Sequence, residues 1–262
     1  MVQTHSPPAG VLVWGTRFAA LTLAQTVDEV DRLVQAGQPT SFVTANVHTL
    51  MAADADPEMR AAMDEAAFVL ADGMPIVWAA RLWGRRLPER VAGSDLLPAL
   101  CERAADRGYR LFFLGGPPGV GQAAADRLTA RHPGLQVVGV ESPPFRPPTP
   151  EEEAELVGRI RAARPHLLFV LFGQPKGELW IRRHRAALGV PVAAQFGASL
   201  DFVAGRVRRA PRWVQRAGLE WAYRISREPR RLTGRYARNA LFLARMVAAD
   251  LGAVARRRLP AG

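Results

Sequence analysis

Asp72 combines the residue type and the position that a general base needs. It follows the apolar run 66–71 and precedes Gly73 and Pro75, where a helix is predicted to begin. Partial removal of a carboxylate from water raises its pKa and makes it a better proton acceptor near neutral pH. The same position also suits the N-cap of the following helix, because an aspartate oxygen can accept from the first free N–H groups. The sequence leaves both interpretations open.

Glycine and polar residues follow four further apolar runs in the chain. Each group alone could be ordinary turn chemistry. If the runs are parallel strands, however, their carboxyl ends lie at one edge of a sheet, which is where ligands bind. The five groups, Asp72 included, therefore predict a binding site at that edge. The other four are Thr44-Ala45-Asn46, Gly115-Gly116-Pro117-Pro118-Gly119, Gly173-Gln174-Pro175-Lys176 and Gln195-Phe196-Gly197.

The glycine-rich segment 115–121 lies between a predicted strand and a predicted helix. Backbone N–H groups in such a loop can bind a diphosphate, since several of them converge at the start of the helix. A tight turn explains the glycines equally well. The spacing is not Gly-x-Gly-x-x-Gly, so no dinucleotide site is predicted.

Strand and helix patterns alternate through the first 204 residues. The strands are nearly continuously apolar, as strands buried on both faces are. They are predicted at Ser41–Thr44, Phe68–Leu70, Arg110–Leu114, Leu135–Val140, Leu167–Phe172 and Val190–Ala194. Helices are predicted at Pro57–Ala66, Pro75–Leu82, Asp95–Arg107, Val120–Arg131, Pro150–Ala163 and Gly177–Ala187, and a hairpin within Val11–Thr22. This alternation predicts an α/β fold with a mostly parallel, Rossmann-like sheet and helices on both faces.

The net charge of +11 is concentrated at the C-terminal end. Residues 205–262 contain 15 arginines and three acidic residues, whereas residues 1–204 contain 20 basic and 21 acidic residues. We therefore expect an α/β domain over 1–204 and a basic helical appendage over 205–262. Such an end favours an anionic partner: phospholipid, nucleic acid or a diphosphate substrate.

A long amphipathic helix is predicted from Arg230 onwards. Its apolar stripe runs beside a stripe of arginines, and Trp213 and Trp221 precede it. Arginine, tryptophan and an apolar stripe together suit a helix lying on anionic lipid. Packing of the helix against the α/β domain is the alternative. The aromatic residues could also stack on nucleic-acid bases, although no nucleic-acid-binding module accompanies them. The apolar stripe is Leu232, Tyr236, Ala240, Leu243, Val247, Leu251 and Val254, and the arginines are Arg231, Arg235, Arg238 and Arg245.

Several classes of protein are excluded or disfavoured. A single cysteine, Cys101, excludes a disulfide framework, and its helical position suggests a core residue rather than a nucleophile. The five histidines lack metal-ligand spacing. No segment has the roughly 20 apolar residues of a spanning helix, and the N-terminus lacks a signal peptide. A soluble intracellular protein is expected.

A series of short motifs, taken together, resembles the WecB/TagA/CpsF family of bacterial glycosyltransferases, which build surface polysaccharides and wall polymers. The motifs occur in the family's order and span about residues 40–240 of the chain. They are Thr44-x-Asn46, Ala71-Asp72-Gly73, Arg90-Val91-x-Gly93-Ser94-Asp95-Leu96, Phe113-Leu114-Gly115-Gly116, Gly173-x-Pro175-Lys176-x-Glu178-x-Trp180, Ala204-Gly205, Arg209-Ala210-Pro211-x-Trp213, Gly218-Leu219-Glu220-Trp221-x-x-Arg224 and Glu228-Pro229-x-Arg231.

The resemblance implies an inverting transfer of a sugar from a UDP-sugar to a polyprenyl-diphosphate-linked acceptor, at the inner face of the cell membrane. The donor sugar would be N-acetylmannosamine, its uronic acid or a simple hexose. No metal, cofactor or nucleic-acid partner is implied. Asp72 would be the base, with Thr44 beside it. The substrate-binding residues would be Asn46, Arg90, Asp95, Gly115, Gly116, Gln174, Pro175, Lys176, Glu178, Arg224, Arg231 and Arg235.

Two departures and two rival interpretations remain. The family usually has glutamine where this chain has Gly177, which suggests a different donor sugar, and an often basic position is Gly234. Asp54 and Asp56 have the Asp-x-Asp spacing of metal-dependent transferases, but Asp56 also suits a helix N-cap. A non-catalytic RNA-binding protein is the other rival. Whether the chain forms a homo-oligomer stays open.

Overall fold

The computed structural model of the protein describes residues 8–144, 146–197, 199–207 and 209–258. The side chains of residues 212, 216, 231 and 253–258 are not described. His5, one of the five histidines, and the side chains of Arg231 and Val254 in the predicted long helix therefore lie outside the described set, as do Arg208 and the side chains of Arg212 and Arg216.

Six parallel strands form the central sheet, and two antiparallel strands form an N-terminal hairpin. The hairpin strands are β1 (Gly10–Val13) and β2 (Thr16–Ala19). The sheet strands are β3 (Thr40–Ala45), β4 (Phe68–Ala71), β5 (Arg110–Gly115), β6 (Gln136–Glu141), β7 (Leu167–Leu171) and β8 (Val192–Gln195). Their order across the sheet is β4-β3-β8-β7-β5-β6, and every neighbouring pair is parallel. The predicted fold class and hairpin are confirmed.

Helices connect the strands and continue beyond the sheet. In the α/β part they are α1 (Leu23–Ala36), α2 (Val47–Ala55), α3 (Pro57–Asp64), α4 (Met74–Leu82), α5 (Gly93–Arg107), α6 (Val120–Arg131), α7 (Pro150–Ala163), α8 (Lys176–Leu188) and α9 (Ser199–Val203). The C-terminal segment, which we define as residues 205–258, contains α10 (Arg212–Arg216), α11 (Glu220–Arg227) and α12 (Pro229–Arg258).

Three of these helices, α1, α2 and α9, were not predicted. Helix α1 begins with a capping box in which the Thr22 side chain accepts from the Gln25 backbone N–H and the Gln25 side chain accepts from that of Thr22. Helix α2 begins directly after β3, where the Asn46 side chain accepts from the backbone N–H groups of His48 and Thr49. Both starts follow known capping rules.

Alternate residues of each central strand bury opposite faces of the sheet. Phe113 and Phe169 pack on one face in an edge-to-face contact, whereas Phe112 and Leu168 pack on the other. Because both faces are covered, the predicted arrangement of helices on both sides is confirmed, and the edge at the carboxyl ends of the strands stays open for a site.

Helix α12 packs back against the body of the protein. Phe242 is buried in the cluster that contains α2 and β3 side chains. Trp14, in the hairpin turn, donates from Nε1 to Asp250 Oδ2 at 2.9 Å. The alternative in which this helix packs on the α/β domain is therefore the one observed. None of the described helices is at once long enough and apolar enough to cross a membrane.

Candidate active site

A cavity of about 800 Å³ lies between the carboxyl ends of the strands and the C-terminal segment. This volume is within the usual range for small-molecule sites. Residues at the ends of β3, β4, β7 and β8 form its inner wall, and residues of α4, α11 and α12 form most of the rest. The polar residues of its inner part, here called the polar end, are Thr44, Asn46, Asp72, Arg90, Gln174, Gln195, Glu220, Arg224 and Arg235.

Asp72 lies at the base of the polar end, directly after β4. Its Oδ2 accepts from the backbone N–H of Gly93 at 3.5 Å. The residue after it, Gly73, is the N-cap of α4, and no side chain caps that helix. The N-cap interpretation of Asp72 is therefore wrong, and its carboxylate faces the cavity. Protein surrounds the carboxylate on its other sides, so burial raises its pKa to about 6 in spite of the opposing charge of Arg90.

Arg90 joins Asp72 to a group of charged residues. Its Nη1 donates to Glu220 Oε2 at 2.9 Å, and its Nη2 donates to Asp95 Oδ2 at 3.4 Å. Arg209 donates to both oxygens of Asp95, at 2.5 and 2.7 Å. Asp95 is thus an ion-pair partner and does not line the cavity, whereas Arg90 does.

Thr44 and Asn46 lie at the end of β3, next to Asp72. Thr44 is buried, and a side chain built at Gly93 would lie 3.6 Å from its Oγ1. The Asn46 oxygen caps α2, and its Nδ2 donates to Gln174 Oε1 at 3.3 Å. Asn46 therefore stabilises the local backbone and also lines the cavity.

The segment after β7 contributes Gly173 and Gln174 to the cavity wall, whereas Pro175, Lys176 and Glu178 do not line it. Gln174 Nε2 donates to the Thr44 carbonyl at 3.5 Å, and the Gln174–Pro175 peptide bond is cis. Glu178 is 5 % exposed and lies behind Gln174, with which it hydrogen-bonds; burial raises its pKa to about 7. Lys176 is exposed and does not line the cavity.

A second cavity of about 180 Å³ adjoins the first beside the glycine-rich loop. Gly116 and Pro117 line it, and Gly173 and Gly197 line both cavities. Gly115 has a φ of 105°, and a Cβ there would lie 2.7 Å from the ring of Phe172. The loop therefore needs glycine at this close approach, and it leads into α6.

The C-terminal segment contributes cations to the large cavity. Arg224 and Arg235 line it, and Arg224 Nε is buried with no hydrogen-bond partner among the described residues. Arg231 lies on α12, but its side chain is outside the described set. Another part of the cavity wall is apolar and is here called the apolar arm; it is formed by Trp14, Trp78, Leu82, Trp221, Leu243 and Val247.

The other candidate groups are separate from this site. Asp56 is the N-cap of α3, accepting from the Glu58 N–H at 2.9 Å, and Asp54 is ion-paired with Arg245. Across the part of the chain that the structure describes, no three His, Cys, Asp or Glu side chains group as a metal site would. Cys101 is fully buried in the core, and burial raises the pKa of its thiol.

Comparison with known proteins decides the family. A model of the "Glycosyl transferase WecG/TagA/CpsF family" matches residues 11–256. The chain belongs to this glycosyltransferase family. A relative from Bacillus spizizenii (strain ATCC 23059 / NRRL B-14472 / W23) is 32 % identical over 190 residues, which cover 72 % of each chain. That relative is named N-acetylglucosaminyldiphosphoundecaprenol N-acetyl-beta-D-mannosaminyltransferase. Membership in the WecG/TagA/CpsF family makes the chain an enzyme, so the non-catalytic RNA-binding alternative is set aside.

The sequence analysis predicted no individual role for three residues of this WecG/TagA/CpsF site. Glu220 and Arg209 lie in the quoted motifs, but their ion pairs with Arg90 and Asp95 become visible only in the folded chain. Gln195 is 4 % exposed and packs against Gly177, where a Cβ would lie 2.7 Å from Gln195 Cδ. A glycine in the first turn of a helix was the available signal for that close approach.

Proposed function

We propose that the protein transfers a sugar from a UDP-sugar to a sugar linked to polyprenyl diphosphate, with inversion at the anomeric carbon. The transferred sugar is of the N-acetylmannosamine type or a related hexose or uronic acid, and the product enters the synthesis of a bacterial surface polysaccharide. The observation that carries this proposal is Asp72, a carboxylate with a raised pKa at the base of a cavity that has polar and apolar parts. The acceptor named for the Bacillus spizizenii relative is of the same chemical class.

Asp72 would act as the general base. A sugar hydroxyl is a poor nucleophile until its proton is removed, and a carboxylate with a pKa near 6 is ionised at neutral pH yet basic enough to assist. The acceptor oxygen then attacks the anomeric carbon while the bond from that carbon to the UDP oxygen breaks. The proton stays on Asp72, and the electron pair leaves with UDP.

A single displacement agrees with the carboxylates that line the cavity. A double displacement would need a second carboxylate as a nucleophile. Among the described residues that line the large cavity, the other carboxylate is Glu220, and it is held by Arg90 at 2.9 Å. The cavity therefore favours direct attack by the acceptor on the face opposite UDP, which inverts the configuration at the anomeric carbon.

The diphosphate charge would be balanced by Arg224 and Arg235. Negative charge develops on UDP as it leaves, and preorganised cations and N–H groups in a site with little water stabilise it strongly. Arg224 Nε is a buried donor without a partner among the described residues, so a phosphate oxygen would satisfy it. The nucleotide would extend toward the smaller cavity beside Gly116, because Gly173 and Gly197 line both spaces.

The apolar arm would accept the first isoprenoid units of the acceptor. It is lined by tryptophan, leucine and valine side chains from the hairpin turn, α4, α11 and α12. Transfer of apolar surface out of water is favourable at roughly 25 cal/mol per Å². The polar end and the apolar arm therefore match the two chemically different parts of a prenyl-diphosphate sugar.

Residues 205–262 would attach the α/β domain of residues 1–204 to the anionic inner surface of the cell membrane. Within the apolar arm, Trp221 of this segment is 44 % exposed, and Trp78 and Leu82 of the neighbouring helix α4 are 41 and 73 % exposed. Arg81, Arg85 and Arg227, which are close to these residues in the chain, are also exposed. Exposed apolar side chains with arginines favour peripheral binding to anionic lipid.

A donor screen tests the proposal. Each UDP-sugar would be incubated with a short-chain prenyl-diphosphate N-acetylglucosamine acceptor, and the product mass measured, in buffer with excess chelator. We expect one UDP-sugar to give the disaccharide, and the anomeric configuration of the product, read by NMR, to be inverted. No product with any UDP-sugar, or activity lost in chelator, would contradict the proposal.

A further inference from the structure

Four charged side chains form a closed ring between the α/β domain and the C-terminal segment. Arg90 contacts Glu220 at 2.9 Å and Asp95 at 3.4 Å. Arg209 contacts Asp95 at 2.5 Å and Glu220 at 3.7 Å. Each cation therefore contacts both anions, and each anion contacts one cation from either side of the junction.

The ring is partly shielded from solvent, which strengthens the electrostatic interactions between its four side chains. The side chains of Arg90 and Glu220 are 16 and 18 % exposed, and those of Arg209 and Asp95 are 23 and 33 % exposed. Partly buried pairs are screened by salt much less than exposed ones. Removal of one member therefore leaves its partner with an unbalanced charge close to the cavity.

The ring is the main charged surrounding of Asp72. The positive charge of Arg90 lowers the pKa of the Asp72 carboxyl, and the negative charges of Glu220 and Asp95 raise it. Arg209 also interacts with Asp72 through its charge. Arg224 and Arg235 line the same cavity from α11 and α12, and the remaining contact is the Gly93 backbone N–H.

We propose that Glu220 and Arg209 are positioning residues, which hold Arg90 by the closed ring and so set the proton affinity of Asp72. Glu220 pulls the Arg90 guanidinium toward the C-terminal segment and away from the carboxylate. Arg209 neutralises Asp95, which would otherwise compete for Arg90. The inference rests on the proposed role of Asp72, and it makes that role depend on residues beyond position 204.

The ring predicts opposite effects for the two substitutions. In Glu220→Gln a negative charge is lost and Arg90 can approach Asp72, so the pKa of Asp72 falls. The acid limb of the kcat profile, where kcat rises as Asp72 loses its proton, therefore moves to lower pH. In Arg209→Gln a positive charge is lost, so the limb moves to higher pH. We expect shifts of about 0.5 to 1 pH unit, with kcat on the plateau within about fivefold of wild type. A purely structural role would lower kcat without moving the limb in opposite directions.

A matched control and a direct titration complete the experiment. Glu65→Gln breaks an ion pair with Arg182 at 2.9 Å away from the cavity, and its profile should coincide with wild type. The pKa of Asp72 would also be measured by carboxyl ¹³C NMR of each full-length variant, assigned by the signal missing in Asp72→Asn. This titration needs no catalytic turnover, so it tests the effect of the ring on the pKa of Asp72 even if no UDP-sugar is a donor.

Two outcomes overturn the inference. One is a pKa of Asp72 that stays the same in both variants, and the other is a pKa that moves in the same direction in both. If Glu220→Gln does not fold, Glu220→Asp keeps the charge but shortens the reach to Arg90. The pKa of Asp72 in the Glu220→Asp variant should then lie below that of wild type, and an unchanged pKa would equally overturn the inference.

Discussion

Arg90 donates a hydrogen bond to Glu220 across 130 positions of the chain, at 2.9 Å. Arg90 precedes α5 in the α/β domain, and Glu220 opens α11 in the C-terminal segment. Because Arg90 also lines the cavity and its charge acts on the Asp72 carboxyl, the candidate base has a charged neighbour whose position depends on both parts of the protein. The sheet edge supplies the carboxylate, and the C-terminal segment completes its surroundings.

Replacement of Asp72 by asparagine is expected to lower turnover by about 10²- to 10⁴-fold, the usual contribution of a general base. Asparagine keeps the shape but cannot accept the hydroxyl proton. UDP binding, measured by calorimetry, should stay within about threefold of wild type. Asp64→Asn, at an exposed position in α3, is the matched control and should retain full activity. Turnover near the wild-type value in Asp72→Asn would show that another group takes the proton.

The pH dependence of kcat follows from the pKa of about 6 at Asp72. The base must be ionised, so kcat should rise about tenfold per pH unit below this value and level off above it. The folded-state pKa lies above the ordinary aspartate value of 3.8, so the folded state binds more protons between these two pKa values. The contribution of Asp72 to stability should therefore be lost as pH rises through this window, so the free energy of unfolding of wild type relative to Asp72→Asn should be smaller at pH 8 than at pH 4 in urea unfolding. A kcat profile that is flat from pH 5 to 8 would contradict the assignment.

Apolar runs and strand-end residues were enough to predict the sheet and the clustering at its edge. Thr44, Asn46, Asp72 and Gln174 meet there because parallel strands bring their carboxyl ends together. The surroundings of the apolar stripe on α12 could not be predicted in the same way. Periodicity shows that Leu243 and Val247 share a face, but not whether lipid or protein covers it.

Contacts between side chains that are far apart in the chain could not be predicted from the sequence either. Asn46 was expected to bind substrate, but a capping role and a hydrogen bond to Gln174 also occupy it. Lys176 follows β7 as predicted, yet it is the exposed first residue of α8 and does not line the cavity. Helix α1 was missed although Thr22 and Gln25 have the capping-box spacing.

Arg224→Gln should weaken stabilisation of the diphosphate. A charge-assisted hydrogen bond contributes about 1.5–3 kcal/mol, so we expect kcat/KM to fall by about 10- to 150-fold. Arg227→Gln removes the same charge three positions away on α11, where the side chain is exposed and does not line the cavity. It should change kcat/KM by less than about threefold at 150 mM salt, because exposed charges are screened. Equal losses in both variants would indicate a general charge effect instead of a specific contact.

Val247→Gln tests the apolar arm. Val247 is half-buried, and the cost of losing its apolar contact with the acceptor is about 1–2 kcal/mol, so KM for a long-chain prenyl acceptor should rise about 5- to 30-fold. A short-chain acceptor that does not reach α12 should show an unchanged KM. Leu241→Gln, at a position that is 73 % exposed on the same helix, should affect neither acceptor. If Val247→Gln raises both KM values alike, the isoprenoid units do not lie in this arm.

The contact between Gly177 and Gln195 predicts a substitution whose sign depends on its neighbour. In a helix, alanine is favoured over glycine by about 1 kcal/mol. At position 177, however, the new Cβ would lie 2.7 Å from Gln195 Cδ. Gln195 is buried and its Oε1 accepts from the Gly197 N–H at 3.0 Å, so it cannot move without losing that bond. Overpacking costs about 1–3 kcal/mol, and Gly177→Ala should therefore destabilise the protein.

Removal of the obstructing side chain should reverse this sign. In the Gln195→Ala background the space is free, so helix propensity alone acts and Gly177→Ala should stabilise by about 0.5–1 kcal/mol. Gly158→Ala in α7 is the matched control, because nothing lies within 4 Å of its Cβ position, and it should stabilise in both backgrounds. Urea unfolding of the four combinations at positions 177 and 195 gives the coupling free energy, expected to exceed about 1 kcal/mol. A coupling near zero would mean that Gln195 leaves its place without cost, and that Gly177 does not fix this wall of the cavity.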